Sequence, residues 1–435
     1  MTDLDLLPGV SRSTEDREAR SRDFGGMIAR MPDGVAVPGS VEEVSSIVRA
    51  AARDGVPLAV RGGGHSQGGQ SLSQGGLVLD TGRLDRIQPL GGELVRAQGG
   101  AQWGAVVDTL QGTGRLPRVL ADIAEVSVGG TLSAGGLGTT SHRYGAQVGQ
   151  VEQLEVVIGT GERVLCSRER NADLFDAVRA GQGRFGIITE AWIGLRRAGE
   201  RICQYQLRYG DVDGLVRDLD RMVRDGRVDH LRAETRAHKH DYMLHAGVEY
   251  DEGHGDDTIL DGLGHDEVAV SRDTADVGYA AMYPTWGLSR KNYHPWRDWI
   301  MPWEALPTLL AQPWVDPQWL PQALYTWTGV YPIRTEAIDA PLLVLPKGSH
   351  VLLYSILTVQ HEREGAREMA QRLHEVDRTL VGLGGKSYVS GSVGYGRRQW
   401  EEHYGEALQA GLAWKRKFDP ERVFLAEGLP FGEGP

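Results

Sequence analysis

Apolar residues at Val44, Ile47, Val48 and Ala51 repeat at i, i+3, i+4 and i+7, the spacing that lines one face of a helix. Ser40 and Glu43 are spaced as a capping box at its start, and Gly55 is placed to stop it. The pattern then changes period. Pro57-Leu58-Ala59-Val60 and Leu77-Val78-Leu79-Asp80 are short apolar runs that predict buried strands, so the glycine-rich segment between them joins strand to strand and opens no helix. Trp103 to Leu110 and Ala172 to Ala180 read as helices, and Ile187 to Trp192 as a strand. Leu154 to Ile158, a Gly159-Thr160-Gly161 turn and Glu162 to Cys166 read as a hairpin. Helical spacing returns over Ala366 to Leu380 and Trp400 to Lys417.

A chain of 435 residues, 40% hydrophobic, can bury a large core and exceeds what one core fills, so two domains are expected. Near Arg196 the composition breaks. From Gln204 to about Lys386 glycine thins out, and Trp286, Trp296, Trp299, Trp303, Trp314, Trp319 and Trp327 fall in one stretch. The expected division is 1–197 as a first domain, 198–395 as an inserted cap, and 396–435 as a return to the first. A net charge of -12 without a basic run argues against a nucleic-acid partner. Met1 to Arg20 has no apolar core and no later window is long enough to span a bilayer, so no membrane partner and a cytoplasmic location are expected. Cys166 and Cys203 supply neither a disulfide framework nor a zinc site. His238, His240, His245 and His254, near Asp251, Asp256 and Asp257, lack metal-site spacing and read as a solvated loop, so no metal is expected.

The chemistry gathers around glycine. Arg61-Gly62-Gly63-Gly64-His65-Ser66-Gln67-Gly68-Gly69-Gln70 sets one histidine among five glycines, where backbone amides can approach a bulky anion and the imidazole is held against it. Ser127 to Gly136 is a second such segment. Gly181 to Gly186 is a third; it matches GxGxxG literally, but a strand-like run follows where a dinucleotide turn needs a helix. Three glycine-rich segments on strand-rich structure imply one long phosphate-bearing ligand, a dinucleotide with its pyrophosphate on backbone amides. His65 is the nucleophile of the stretch able to join it covalently; the plainer alternative is a histidine bonded within its own turn. For Asp122 the plain alternative is a cap on the turn before Glu125.

Seven segments, in order and spacing, resemble the cytokinin dehydrogenase branch of the vanillyl-alcohol-oxidase-type flavoproteins. They are Gly64-His65-Ser66 with Gln70, Pro117-Arg118 to Asp122 running into Val128 to Ser133, His142-Arg143-Tyr144-Gly145, Phe185 to Thr189, His294-Pro295-Trp296 with Pro302, Tyr331-Pro332, and Lys417-Phe418-Asp419-Pro420. The resemblance covers nearly the whole chain and is strongest in the first domain. It implies an α+β fold: a PCMH-type FAD-binding domain with an inserted antiparallel-sheet cap. It implies FAD bonded through His65 to its 8α-methyl, and no second link, because Asp122-Ile123-Ala124-Glu125 holds no cysteine.

The flavin contacts it implies are Arg61, Gly62, Gly63, Gly64, His65, Ser66, Gln70, Asp122, Ser127, Gly129, Gly130, Ser133, Leu137, Gly186, Ile188 and Tyr388. Asp122 takes the role of proton acceptor as flavin N5 takes a hydride, and Glu234, Trp296 and Tyr331 that of substrate contacts. His142 is taken as structural. The cap departs from the family: Arg232 stands where an acid is expected, with Glu234 as its substitute, and Leu425 to Leu429 lacks the family's glutamine. The reaction implied is oxidation of a C–N bond in a small secondary amine of the N6-substituted adenine type, with oxygen or a quinone as electron acceptor. Alternatives are oxidation of an alcohol or natural-product intermediate, and a non-redox isomerase, cyclase or sequestering protein. The pairing of His65 with Asp122 speaks for redox chemistry.

Overall fold

The helix Val41–Asp54 forms where its spacing dictates, in a computed structural model that describes residues 10–236, 241–251, 257–274, 292–311, 325–391, 393–424 and 430–431. Ser40 Oγ accepts the Glu43 amide, and Gly55 ends the helix at φ 63°. Glu43 reaches one residue further back than a capping box requires and accepts the Gly39 amide. Val44, Ile47, Val48 and Ala51 are buried against Leu58, Leu77 and Leu79, each Val or Ile contributing roughly 1.5–3 kcal/mol.

Those leucines belong to a four-stranded sheet ordered Val10–Ser11, Gly34–Ala36, Leu77–Asp80, Leu58–Arg61, its last three strands parallel. Parallel neighbours need a long crossover, usually a helix. Here residues 62–76 make it without one, so the glycines and His65 arch over the sheet end. The second sheet is antiparallel, with Ile187–Arg197 at its centre between Leu94–Gln98 and Val151–Val157. The hairpin of Val151–Val157 with Arg163–Ser167 lies where the turn glycines predict it.

Two segments differ from their sequence patterns. Ser127 to Gly136 contains the helix Val128–Ala134, because Val128 and Leu132 are fully buried and that packing outweighs its glycines. Trp400 to Lys417 is broken at Gly405, φ 52°, into the helices Arg397–Tyr404 and Ala407–Phe418. Residues 415–424 lie against the first domain: Lys415 donates to Arg184 O and Phe424 O, and Leu58 N to Val423 O.

Glu267–Thr274, Arg201–Tyr209, Asp241–Tyr250, His230–Arg236, Tyr325–Arg334, His350–Val359, Trp296–Pro302 and Lys386–Ser387 form, in that order, an antiparallel sheet. Its register explains the site. Glu234 lies opposite Gly329, Gly329 opposite Ser355, and Ser355 opposite Asp298. Side chains alternate with period two, so Tyr331 and Trp327, Leu353 and Leu357, and Trp296 share that same face. It is turned toward the glycine loops.

Candidate active site

Between that sheet face and the first domain lies a cleft with about 1660 Å³ of space, part of it open to solvent. From the first domain it is lined by Gly62, Gly63, Gly64, His65, Ser66, Gln70, Ser127, Gly129, Gly130, Ser133, Leu137, Gly186 and Ile188, and by Asp122. From the cap come Trp296, Tyr331 and Tyr388. The glycines have a further reason to be there: the loops touch each other. A Cβ on Gly62 would stand 2.0 Å from Ser127 Oγ, one on Gly63 2.5 Å from Glu125 O, and one on Gly129 2.9 Å from Gly99 O. Ser127 Oγ ties the contact by accepting the Gly63 and Gly130 amides.

Among the described residues lining the cleft there is no Lys or Arg. An anionic diphosphate would therefore be held by backbone amides, which the glycine loops leave uncovered, while the aromatic sheet face suits a planar ring system. A dinucleotide such as FAD fits these surroundings. His65 stands where it could reach that ligand, and both cysteines are buried away from the cleft. The cap grips the same loop: Gln70 Nε2 donates to Val389 O at 2.9 Å, and Gln67 N to Ser390 O at 3.2 Å.

Asp122 is half-buried and lines the cleft; its Oδ1 is out of solvent's reach and has no hydrogen-bond donor among the described residues, and its Oδ2 accepts the Tyr331 hydroxyl. Burial pushes its pKa up, against the pull of the Arg232 charge and the Tyr331 hydroxyl. Tyr331 also meets Arg232, and its own ionisation is pushed well up by burial and by Asp122.

Two expected residues lie elsewhere. Arg61 does not line the cleft: its guanidinium is tucked under Gly64 and donates to Ser71 Oγ at 3.4 Å. Glu234 is 2% exposed and does not reach it either. Its register opposite Gly329 places it behind Trp327, whose ring lies across that glycine and whose Nε1 donates to Glu234 at 2.9 Å. Burial would raise the Glu234 pKa, but His245, Arg232 and Trp327 outweigh it and hold the carboxyl well below the usual range. Glu234 thus backs Arg232, which sits 3.7 Å away. His142 bridges Thr139 O and Val228 O, a structural part.

Asp298, Ser355 and Gln182 also line the cleft, as does Trp327 from the tryptophan-rich stretch. Asp298 had a usable signal, since it lies two residues from Trp296 on one strand and so shares its face. Trp296 Nε1 donates to it at 2.7 Å, Ser355 Oγ donates as well, and burial pushes its pKa up to about 6. Gln182 belongs to the literal GxGxxG hexamer, which runs into the strand Ile187–Arg197 and yet contributes to the cleft. Among the described residues no group of His, Cys, Asp and Glu could hold a metal ion, and no helix is long and apolar enough to cross a membrane. His238, His240, His254, Asp256, Trp286, Trp314, Trp319 and Leu425 to Leu429 lie outside the described residues, whereas His245 belongs to no loop: it sits in the strand Asp241–Tyr250 with its Nε2 3.1 Å from Glu234.

Residues 32–167 match the FAD binding domain family. An uncharacterized oxidoreductase, ORF5 of the fasciation locus of Rhodococcoides fascians, is 32% identical over 426 residues, covering 93% of this chain and 95% of that one. Cytokinin dehydrogenase 7 of Oryza sativa subsp. japonica is 38% identical over 232 residues, 51% of this chain and 44% of its own, so that match spans less than half of the plant enzyme. Glucooligosaccharide oxidase from Acremonium strictum, whose FAD is 6-S-cysteinyl, 8α-N1-histidyl, superposes with a TM-score of 0.77 at 20% identity over 98% of both chains, which shows a shared fold. The glycine loops, the cleft between two domains and the near full-length match to an oxidoreductase agree: the chain belongs to the cytokinin dehydrogenase-like family of PCMH-type FAD-dependent oxidoreductases.

Proposed function

We propose that this FAD-dependent oxidoreductase oxidises a C–N bond of a small secondary amine of the N6-substituted adenine type, with Asp122 as proton acceptor and FAD held through His65. One observation carries the reading: Asp122 lines the cleft with a carboxylate whose Oδ2 is fixed by Tyr331 while Oδ1 has no hydrogen-bond donor among the described residues. A general base needs one oxygen oriented by a donor and the other left without one, able to take a proton. FAD, when bound, supplies the hydride acceptor. Asp122 accepts the proton of the substrate N–H as the neighbouring carbon gives up its hydride, and the resulting C=N bond is hydrolysed to an amine and an aldehyde. Trp296, Trp327, Tyr331, Leu353 and Leu357 offer a planar ring an apolar slot and keep water from the reacting carbon.

The histidyl flavin of the glucooligosaccharide oxidase supports a link at His65. With no cysteine lining the cleft, one bond is expected here rather than two. Oxygen or a quinone would take up the two electrons and two protons, leaving as hydrogen peroxide or a hydroquinone. Asp298 favours a second reading, oxidation of an alcohol, because its carboxylate gives the cleft another acceptor for a hydroxyl. An anaerobic screen of flavin bleaching with N6-substituted adenines, other amines and alcohols separates the two. Bleaching by amines alone supports the first reading, bleaching by alcohols alone the second, and bleaching by neither class rejects both.

A further inference from the structure

The segment Arg22 to Ala29 folds back on itself as a strap beside the His65 loop. Arg22 and Ala29 form a bridge, and Asp23 accepts the Ile28 amide at 3.1 Å. The strap touches the loop on one side: Phe24 N donates to Ser66 O at 3.1 Å, and Arg30 Nη1 to Gly69 O at 3.3 Å. On the other side it touches the cap, where His294 N donates to Gly25 O at 2.9 Å. The approach is tight: a Cβ on Gly25 would stand 3.1 Å from His294 O and one on Gly26 3.2 Å from the Tyr293 ring, and Gly26 holds the left-handed φ of 70° that favours glycine.

Three rings fill the space between. Phe24 packs on His65 with centroids 4.6 Å apart and planes at 34°, and on the fully buried His294 at 5.5 Å and 24°. We propose that Phe24, braced from the cap by His294, is a positioning residue that fixes the plane of the His65 imidazole for covalent attachment, so that attachment requires a docked cap.

The inference rests on the reading of His65 as the flavin link. A ring free to turn about its side-chain torsions presents its nitrogen to a methyl carbon only part of the time; a ring packed against a neighbour that is itself held in place does so far more of the time. Attachment forms one C–N bond from the imidazole to the methyl carbon. The imidazole N–H hydrogen and one methyl hydrogen pass to the ring system, leaving it reduced by two electrons, and dioxygen then reoxidises it and leaves as hydrogen peroxide.

The test is the share of flavin that stays with acid-precipitated protein, measured beside total bound flavin. Wild type should keep its colour in the pellet. Phe24→Leu, which fills similar volume without a ring, and His294→Ala should bind flavin but release most of it to the supernatant, a drop in the covalent share of at least about fivefold, whereas Phe24→Tyr should match wild type. Full covalent retention in Phe24→Leu overturns the proposal. Colour released by the wild type overturns the His65 reading itself, and the proposal with it.

Discussion

Tyr331 on the cap sheet donates its hydroxyl hydrogen to Oδ2 of Asp122 in the first domain, and the same hydroxyl meets Arg232. The base is thereby oriented by the domain that covers it. Removing that donor in Tyr331→Phe should slow flavin reduction by about 10- to 100-fold, as expected for a group that positions proton transfer. A hydrogen bond to the charged carboxylate lowers its pKa, so its loss raises it. The acid limb of the reduction rate should then move to higher pH. Rapid-mixing measurements across pH check both effects; an unchanged limb would show that Tyr331 does not bear on Asp122.

Arg232 lies between Asp122 and Tyr331 on one side and Glu234 on the other, and the acids and Tyr331 hold its proton firmly against the effect of burial. Arg232→Met should leave Glu234 as a buried charge short of a partner and cost about 3–5 kcal/mol. Adding Glu234→Gln should recover most of that stability, since the amide still accepts from Trp327. It should not restore the Arg232 charge that favours ionised Asp122, so the double variant should melt near wild type and still titrate at higher pH. Denaturant melts and the reduction profile read the two effects separately.

Asp298 carries a pKa raised to about 6 by burial, against 3.8 for a free carboxyl. The folded state therefore binds this proton more tightly than the unfolded one. Its contribution is complete below pH about 4 and is lost as pH rises through about 6, costing about 3 kcal/mol at neutral pH. Asp298→Asn accepts from Trp296 and Ser355 without charging, so it should be more stable than wild type at pH about 8, with the difference closing toward pH about 4. A constant difference across that range would remove Asp298 from the titration.

The close approach of Gly62 to Ser127 should be visible as a paired effect. Gly62→Ala brings a methyl carbon to within 2.0 Å of Ser127 Oγ and should weaken flavin binding by forcing the loops apart. Ser127→Ala removes that oxygen, so the double variant should bind flavin better than Gly62→Ala alone. Equal binding by the single and double variants would place the strain elsewhere.

Local spacing made much of the first domain legible: the caps at Ser40 and Gly55, the helix Trp103–Leu110, and the turn between Val157 and Arg163 are each written within a few residues. The helix Val128–Ala134 was hidden because burial of Val128 and Leu132, a tertiary effect, supplies what its glycines lack. The cap side of the site was less legible for another reason. Arg232 and Tyr331 come together through the pairing of His230–Arg236 with Tyr325–Arg334, strands far apart in sequence. A one-residue slip in that register would exchange the faces, and no local pattern near Glu234 reports that it lies behind Trp327 instead of in the cleft.

The most direct measurement is the anaerobic rate of flavin bleaching by a secondary amine of the N6-substituted adenine type, compared between wild type and Asp122→Asn. Wild type should bleach, and the variant, with flavin content unchanged, should bleach slower by about 10²- to 10⁴-fold. A variant that bleaches at the wild-type rate, or a wild type that no amine bleaches, would contradict the role given to Asp122.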